Sequence, residues 1–293
     1  MRVLTEVKFI LISMRPRQWV KNAFLFSGLV FSRNLFQTEL LMKVSLGFIL
    51  FCLAASSIYI FNDIQDREKD RRHPEKRRRP ITLGNLLVKK AYFVSILLGV
   101  TTLVFASVLD LTFFAILLTY ILLNLAYSLK LKQVVILDIM CIAFGFVLRI
   151  LAGTTLGRIT PSDWLIVCTM TISLFLGFSK RRNELVFMVN NADDQRKVLA
   201  DYSLPFLDQM IAMVTACTVM SYILYTVSSE TVARFGTRNL IFTIPFVLFG
   251  IFRYLYLIYH KRRSEEPTDL ILRDFPSLFN ILLWLGMVIL IIY

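Results

Sequence analysis

Residues 41–61 read LMKVSLGFILFCLAASSIYIF and carry a single charge, at Lys43. A helix needs about 20 apolar residues to cross the core of a bilayer, so this stretch predicts a membrane-spanning helix. The chain then becomes polar and acidic at once, as NDIQDREKD over residues 62–70. Together the two stretches predict a membrane helix that ends in an acidic motif at one face of the bilayer.

The composition of the whole chain agrees with a membrane protein. Of its 293 residues, 57% are hydrophobic and only 18% are charged, whereas a soluble domain is about half apolar and a quarter charged. This excess excludes a disordered chain, a collagen-like fibre and a small disulfide-stabilised domain. The 4 cysteines show no metal-ligand spacing.

Further apolar runs of similar length accompany residues 41–61 along the chain. We therefore predict an all-α, polytopic membrane protein with nine transmembrane helices, in a single domain over residues 1–293. The first run is the weakest, because serine, glycine and asparagine residues interrupt it. The nine runs cover residues 22–38, 41–61, 91–109, 111–128, 135–156, 163–180, 207–228, 239–259 and 275–293.

The charges predict how the chain is oriented. Lys and Arg number 33 against 20 Asp and Glu, which gives a formal net charge of +13. Most of the basic residues fall in the N-terminal segment and in every second loop, as they do in the cytoplasmic loops of membrane proteins. We therefore predict an integral protein of the cytoplasmic (inner) membrane, with its N-terminus in the cytoplasm. The basic charge is explained by the membrane, and we expect no nucleic acid as a partner. The sequence is compatible with a homo-oligomer.

The acidic residues crowd the same face, which the rule for Lys and Arg does not require, and they indicate a site. If the helix of residues 41–61 continues, Asp63, Asp66 and Asp70 fall at i, i+3 and i+7 on one helical face. Their repulsion would be offset by Mg²⁺, which takes one or two carboxylates together with water and phosphate oxygens. We therefore predict Asp63 and Asp66 as metal ligands, and all three aspartates as the catalytic group, facing the cytoplasm.

Basic residues follow the aspartates directly, in the stretch HPEKRRRP at residues 73–80. Fixed cations beside carboxylates are what a magnesium-diphosphate ligand requires. One alternative is a solvated helix end whose aspartates pair with the neighbouring arginines and lysines. Another is an ordinary positive-inside loop, or a loop that contacts anionic lipid headgroups.

Four motifs together resemble the UbiA superfamily of intramembrane transferases. The pattern NDxxDxxxD of residues 62–70 is similar to the first motif of that superfamily. Three others are similar to its branch of decaprenyl-phosphate phosphoribosyltransferases, namely RPRQWVKN (15–22), HPxKRxRPI (73–81) and KRxxEL (180–185). The resemblance implies a nine-helix, UbiA-like bundle with a polar cavity that opens to the cytoplasm.

The resemblance also implies a reaction. Members of this branch transfer 5-phosphoribose from phosphoribosyl diphosphate (PRPP) to a polyprenyl phosphate, with Mg²⁺ as the cofactor. PRPP and a decaprenyl-like polyprenyl phosphate are therefore the implied substrates, and diphosphate is the implied product. The lipid phosphate is already an anion, so this transfer requires no strong general base.

Further substrate-binding residues come from these motifs and from the fourth and fifth runs. The resemblance implies a role for the Tyr-Ser-x-x-Leu-Lys segment after the fourth run, represented by Tyr127 and Lys130. Arg149 lies inside the fifth run, where an ionisable residue is costly and functional by default, although a structural ion pair is the alternative. The predicted substrate-binding set is Lys21, Asn22, Asn62, Lys76, Arg77, Tyr127, Lys130, Arg149, Lys180, Arg181 and Glu184.

Two other functions stay open. A UbiA-type prenyltransferase with an isoprenyl diphosphate donor shares the first motif, but this chain has KRxxE (180–184) where such enzymes carry a second Asp-rich motif. The alternative from another class is a lipid or ion transporter, with Asp138, Arg149 and Arg253 along its pathway. The aspartates at one membrane face argue against it, because transporters commonly bind substrate near the midplane.

Overall fold

A computed structural model describes residues 2–72, 76–189, 199, 201–260 and 267–293 of the chain. Over these residues the chain forms α-helices and short 3-10 helices and no strand, which confirms the all-α class. The chain divides into two units, one built from the described residues up to Thr160 and one from the described residues beyond it. The single domain over residues 1–293 stays a prediction.

Most of each unit is helical. The first unit contains α1 (Arg2–Ser13), a 3-10 helix (Pro16–Phe26), α2 (Ser27–Val30), α3 (Thr38–Gln65), α4 (Arg67–Asp70), a 3-10 turn (Lys76–Arg78), α5 (Pro80–Leu83), α6 (Val88–Leu109), α7 (Leu111–Leu129), a 3-10 turn (Leu131–Gln133) and α8 (Leu137–Leu156). The second unit contains α9 (Asp163–Val189), α10 (Leu204–Val227), α11 (Ser229–Phe235), a 3-10 helix (Asn239–Thr243), α12 (Ile244–His260), α13 (Pro267–Arg273) and α14 (Phe275–Ile292).

Eight helices of the described chain are long and apolar enough to cross a membrane. They are α3, α6, α7, α8, α9, α10, α12 with the 3-10 helix before it, and α14. These eight correspond to the second to ninth predicted runs. The apolar runs of the sequence therefore predict the position of every long membrane helix that the structure describes.

The first predicted run, residues 22–38, does not form a long helix. The 3-10 helix Pro16–Phe26 and the single turn of α2 replace it, and no helix covers residues 31–37. The 3-10 helix packs directly on the backbone of α8, where a Cβ on Gly153 would collide with the carbonyl of Leu25. The described residues thus contain eight long membrane helices where nine spans are predicted, because the small and polar residues of this run break it into short helices.

Helix α3 lies at the centre of the first unit. It packs against α6, α7, α8 and the 3-10 helix Pro16–Phe26, with Phe51, Phe113 and Leu117 buried in the core between them. Large apolar side chains on the outside of α6 stay exposed, as expected for a helix that contacts lipid. Because α3 is central, its acidic end is surrounded by the connections between its neighbours.

In the second unit, α9 packs along α10 and α12 packs against α14. Arg253 of α12 donates hydrogen bonds to Asp274, whose carboxylate also accepts from the amide of Ser277 at the start of α14. The hydroxyl of Tyr222 accepts from the indole N–H of Trp284 at 2.9 Å. These polar contacts fix α14 to the other helices of its unit.

Candidate active site

The acidic motif begins inside α3 and ends in α4. Helix α3 ends at Gln65, Asp66 lies between the two helices with φ −92° and ψ 3°, and Asp70 closes α4. The amide of Asp70 still donates to the carbonyl of Asp66 at 2.8 Å, so the helical spacing continues across the junction. Asp63, Asp66 and Asp70 are only 1%, 7% and 4% exposed. The solvent exposure that a solvated helix end requires is therefore not found at these three residues.

Two arginines from other segments hold Asp63 and Asp70. Arg79 donates from Nη1 to Oδ1 of Asp63 at 2.9 Å and to Oδ2 of Asp70 at 2.5 Å. Arg15 donates from Nη2 to the same Oδ1 of Asp63. Such charge-assisted hydrogen bonds are roughly twice as strong as neutral ones. Because one nitrogen of Arg79 reaches both carboxylates, Asp63 and Asp70 share the face that their spacing predicts.

A lysine holds Asp66. Lys132, in the 3-10 turn after α7, donates from Nζ to Oδ1 of Asp66 at 2.7 Å and is itself buried. Asn62 donates from Nδ2 to Oδ2 of Asp66 at 3.1 Å. The side chains of Asn62 and Lys132 therefore fix the two oxygens of one carboxylate.

A left-handed turn brings Arg15 to the aspartates. Arg15 has φ 53° and ψ 62°, a conformation that costs a residue other than glycine about 1–2 kcal/mol. Ser56 of α3 holds the turn, because its hydroxyl donates to the carbonyl of Met14 at 3.0 Å and accepts from Nε1 of Trp19 at 3.0 Å. The turn ends with the guanidinium group on Asp63, so the strained backbone and the ion pair support each other.

Three buried carboxylates and three cations balance one another at this end of α3. A buried charge that loses its partner costs about 3–5 kcal/mol, so each member depends on the others. Burial raises the pKa of Asp70, while Arg79 and Lys76 act in the opposite direction. We name the six side chains Asp63, Asp66, Asp70, Arg15, Arg79 and Lys132 the aspartate centre.

The oxygen atoms of the aspartate centre suit a hard divalent cation. Mg²⁺ usually takes one or two protein carboxylates and completes its shell with water and substrate phosphates. Asp63 and Asp66 supply such carboxylates at the end of a packed helix. Within the part of the chain that the structure describes, no three His, Cys, Asp or Glu side chains are grouped to hold one metal ion. A closed protein cage for a metal ion is therefore not found among the described residues, and Asp63 and Asp66 offer the number of carboxylates that an open magnesium site uses.

A second polar cluster surrounds Arg149 of α8. Arg149 donates from Nε to Asn22 at 2.7 Å and from Nη2 to the hydroxyl of Tyr120 at 2.9 Å. It also donates from Nη1 to the carbonyl of Gly145 at 2.8 Å. All three acceptors are neutral, so a structural ion pair at Arg149 is not found among the described residues. Asn22 also donates to Sγ of Cys52 at 3.2 Å, and the cluster thereby fixes the 3-10 helix Pro16–Phe26 to α3 and α8.

The other predicted residues of the first unit differ in exposure. Lys21, Lys76 and Tyr127 are half-buried, and Arg77 and Lys130 are exposed. Residues 73–75, which open the basic stretch, lie outside the described residues. The binding roles of all these residues stay predictions.

Three predicted residues lie in the second unit, on α9. Arg181 is fully buried and donates from Nη1 to Glu184 at 2.5 Å. Lys180 is half-buried. The structure therefore brings Arg181 and Glu184 together, and their role toward a substrate stays a prediction.

None of the three cations of the aspartate centre belongs to the predicted substrate-binding set. Arg15 and Arg79 stand inside the motifs that carry the resemblance, so a signal for them is present. For Lys132 the signal is spacing, because the lysine of Tyr-Ser-x-x-Leu-Lys falls at position 132 when it is counted from Tyr127. The geometry supports that count, since Lys132 contacts Asp66 and Lys130 is exposed.

The fold and the aspartate centre define a helical membrane protein with an acidic site that fits a divalent metal. Residues 23–275 match the UbiA prenyltransferase family. The decaprenyl-phosphate phosphoribosyltransferase of Mycobacterium tuberculosis is 31% identical over 280 residues, which cover 94% of this chain and 91% of the relative. The enzyme of the same name from Mycolicibacterium smegmatis is 32% identical over 289 residues, which cover 94% and 89%.

A solved structure has the same fold. The UbiA homolog from Archaeoglobus fulgidus bound to DMAPP and Mg²⁺ is similar with a TM-score of 0.74 at 18% identity, over 97% of this chain and 98% of that one. The chain belongs to the UbiA prenyltransferase family. It is an integral, multi-pass membrane protein and a transferase, and the resemblance in its motifs is confirmed.

Proposed function

We propose that this protein transfers 5-phosphoribose from PRPP to a polyprenyl phosphate at the cytoplasmic face of the membrane and releases diphosphate. The observation that carries the proposal is the aspartate centre, where Arg79 bridges Asp63 and Asp70 and Lys132 holds Asp66. Buried carboxylates beside buried cations suit a metal-bound diphosphate. The names of the relatives support the choice of donor and acceptor.

In this proposal the cations of the aspartate centre pair with carboxylates in the empty site and with phosphate oxygens once the donor is bound. Without substrate, Arg79 and Lys132 neutralise the carboxylates that surround them. Asp63 and Asp66 would hold Mg²⁺, which would supply positive charge to the leaving diphosphate. Arg79 and Lys132 would then pair less tightly with the carboxylates and bind phosphate oxygens. The same side chains thus keep the empty site balanced and position the donor in the filled one.

The transfer exchanges one C–O bond for another. The bond from C1 of the ribose to diphosphate breaks, and a bond from C1 to an oxygen of the lipid phosphate forms. The acceptor is an anion and gives up no strongly held proton, so the protein supplies position and electrostatic stabilisation. His260 does not serve as a base in this account, and its Nδ1 lies 3.1 Å from the carbonyl of Tyr256.

The resemblance adds Lys180, Arg181 and Glu184 of α9 to the proposed substrate-binding set. Lys180 and Arg181 bind a terminal phosphate, either that on the 5-position of the ribose or that of the lipid. Glu184 holds the guanidinium group of Arg181, which fixes its direction at little entropic cost. The rest of the proposed substrate-binding set is Lys21, Asn22, Asn62, Lys76, Arg77, Tyr127 and Arg149, and Lys132 takes the place of the predicted Lys130 in it.

A prenyltransferase with an isoprenyl diphosphate donor is the second candidate. The observation in its favour is the fold, which is shared with the UbiA homolog from Archaeoglobus fulgidus, solved with DMAPP and Mg²⁺ and with GPP and Mg²⁺. In this chain Lys180, Arg181 and a single Glu184 stand where a second Asp-rich motif would bind another metal ion. That difference favours PRPP as the donor.

A transfer assay with a labelled donor distinguishes the two candidates. The purified full-length chain is incubated with ribose-labelled PRPP, a polyprenyl phosphate and Mg²⁺, and lipid-extractable label is counted. We expect label in the lipid only when all three are present, with loss of the product on addition of EDTA. Parallel reactions with DMAPP or GPP and an aromatic acceptor should give no prenylated product. Prenylated product without lipid-linked ribose would overturn the proposal.

A further inference from the structure

The face of α3 that carries Asp63 has two other polar side chains, nearer the middle of the helix. Ser56, Tyr59 and Asp63 stand at i, i+3 and i+7, so they lie along one face. At a rise of 1.5 Å per residue, Ser56 lies about 10 Å from Asp63 along the helix axis. The segment that follows α1 contacts all three side chains.

Ser56 holds the backbone of this segment on both sides of Arg15. Its Oγ lies 3.0 Å from the carbonyl oxygen of Met14 and 2.7 Å from that of Cys52, so the two carbonyls share its one proton. The same Oγ accepts a hydrogen bond from Nε1 of Trp19 at 3.0 Å. Because Ser56 is fully buried, the residues before and after Arg15 are fixed to one side chain of the packed helix.

Tyr59 supports the guanidinium group of Arg15 between Ser56 and Asp63. The Cζ atom of Arg15 lies 5.2 Å from the centroid of the Tyr59 ring, within the range in which a cation is attracted to the face of an aromatic ring. Nη2 of Arg15 then donates to Oδ1 of Asp63. The arginine side chain therefore runs along α3 from the level of Ser56 to the aspartate centre.

The ion pair with Asp63 does not by itself determine the direction of Arg15. A free arginine side chain has many rotamers, and holding it in one of them costs entropy. Its backbone is also left-handed, at φ 53°, which is unfavourable for any residue other than glycine. Since Ser56 holds Met14 and Trp19 on either side, the turn keeps this conformation before any ligand arrives.

We propose that Ser56 is a positioning residue of the aspartate centre, which holds the turn at Arg15 and thereby keeps the guanidinium group on Asp63. The inference rests on the proposed function for its effect on the donor. Arg15 occupies an oxygen of Asp63 that a metal ion would bind. When Ser56 no longer directs Arg15, a metal ion would meet less competition at Asp63, whereas the diphosphate of the donor would lose a cation that is already in place.

The next residue of α3 supplies a matched control. Ser57 is also buried, but its hydroxyl donates to the carbonyl of Ser95 on α6 at 2.7 Å and so joins two membrane helices. Ser56→Ala and Ser57→Ala each remove one buried hydroxyl group from the same helix, and we expect them to lower the melting temperature by similar amounts. An effect on the site that appears only in Ser56→Ala therefore does not come from a general loss of stability.

Two measurements on the purified full-length chain test the proposal. In calorimetric titration without donor, Ser56→Ala should bind Mg²⁺ about threefold more tightly than wild type, and Ser57→Ala should match wild type. In the transfer assay, Ser56→Ala should raise KM for PRPP about fivefold and leave kcat within about twofold, because the cation is missing from donor binding. In an Arg15→Gln background, Ser56→Ala should change neither quantity further, because the side chain that it positions is absent.

Two results would overturn the proposal. The first is an equal change of Mg²⁺ affinity and KM in Ser56→Ala and Ser57→Ala, which would leave Ser56 with a structural role alone. The second is an undiminished effect of Ser56→Ala in the Arg15→Gln background, which would mean that Ser56 does not act through Arg15. Failure of the proposed function has a different signature: wild type would transfer no ribose, while the Mg²⁺ titrations of wild type, the two single variants and the double variant would still decide whether Ser56 positions Arg15.

Discussion

The ammonium group of Lys132 lies 2.7 Å from Oδ1 of Asp66, although the two residues stand 66 positions apart in the chain. The contact joins the turn after α7 to the end of α3. It also pairs a buried cation with a buried carboxylate, so either residue alone would leave an uncompensated charge. In the proposed reaction, this contact keeps Asp66 oriented before substrate arrives.

Replacement of Lys132 should reduce activity far more than replacement of Lys130. Lys132→Gln removes a charge-assisted hydrogen bond worth about 1.5–3 kcal/mol, which corresponds to roughly 10–150-fold in kcat/KM. Lys130→Gln removes an exposed charge and should cost no more than about threefold. The measurement is transfer of labelled ribose to polyprenyl phosphate, with melting temperatures as a check on folding. A larger loss with Lys130→Gln would assign the motif lysine to position 130.

Replacement of Arg79 should strengthen metal binding in the absence of donor. Arg79 occupies oxygens of Asp63 and Asp70, so a metal ion must compete with it. We expect Arg79→Gln to bind Mg²⁺ about tenfold more tightly by titration calorimetry, while its transferase activity falls because the diphosphate loses a cation. Arg72→Gln, which removes an exposed neighbouring charge, should change neither. Weaker metal binding by Arg79→Gln would contradict the competition.

The hydroxyl group of Tyr120 should stabilise the protein through Arg149. Tyr120→Phe leaves the buried Nη2 of Arg149 without its acceptor, at a cost of about 1–3 kcal/mol. The melting temperature in detergent should fall by several degrees. Tyr92→Phe is the matched control, because the Tyr92 hydroxyl group accepts a hydrogen bond from the exposed Gln65. This substitution should lower the melting temperature by less than about 2 °C. Equal effects of the two substitutions would show that Arg149 does not depend on Tyr120.

The ion pair between Arg253 and Asp274 predicts a pH dependence of stability. Arg253 holds the pKa of Asp274 well below its usual range, and Ser277 acts in the same direction. A carboxyl group with a lowered pKa contributes stability above the pKa of the unfolded chain, about 3.9. That contribution is lost as the pH falls toward the pKa of the folded state.

Comparison with Asp274→Asn measures this contribution. The wild type should melt about 5 °C higher than the variant between pH 5 and pH 8, because hydrogen bonds to a charged group are worth roughly 2 kcal/mol. The difference should shrink steadily below about pH 4 as the carboxylate takes up a proton. A difference that stays constant or grows in acid would contradict the lowered pKa.

The long helices could be predicted from the sequence because each depends on a local pattern. Residues 41–61 are apolar throughout, and α3 covers them. The short helices within residues 22–38 could not be predicted in this way. The apolar composition of these residues does not reveal the close approach of Leu25 to Gly153 on α8. Such an approach depends on tertiary packing, which the local composition does not contain.

The candidate site could be predicted in part for the same reason. Asp63, Asp66 and Asp70 follow from helical spacing within nine residues of chain. Their partners Arg15 and Lys132 come from distant segments, which a turn after α1 and a turn after α7 bring to α3. The order of residues predicts the cations that are near the acids along the chain, whereas the fold brings together those that are near them in space.

The most direct test of the proposed function compares Asp63→Asn with Glu68→Gln in the labelled-donor assay at saturating Mg²⁺. Both variants remove one carboxylate from the same segment, but Asp63 is buried between Arg15 and Arg79, whereas Glu68 is exposed and contacts Arg71. We predict that Asp63→Asn loses at least 100-fold in transfer of ribose to polyprenyl phosphate and that Glu68→Gln stays within about twofold of wild type. Full activity of Asp63→Asn would remove the aspartate centre from the reaction and contradict the account.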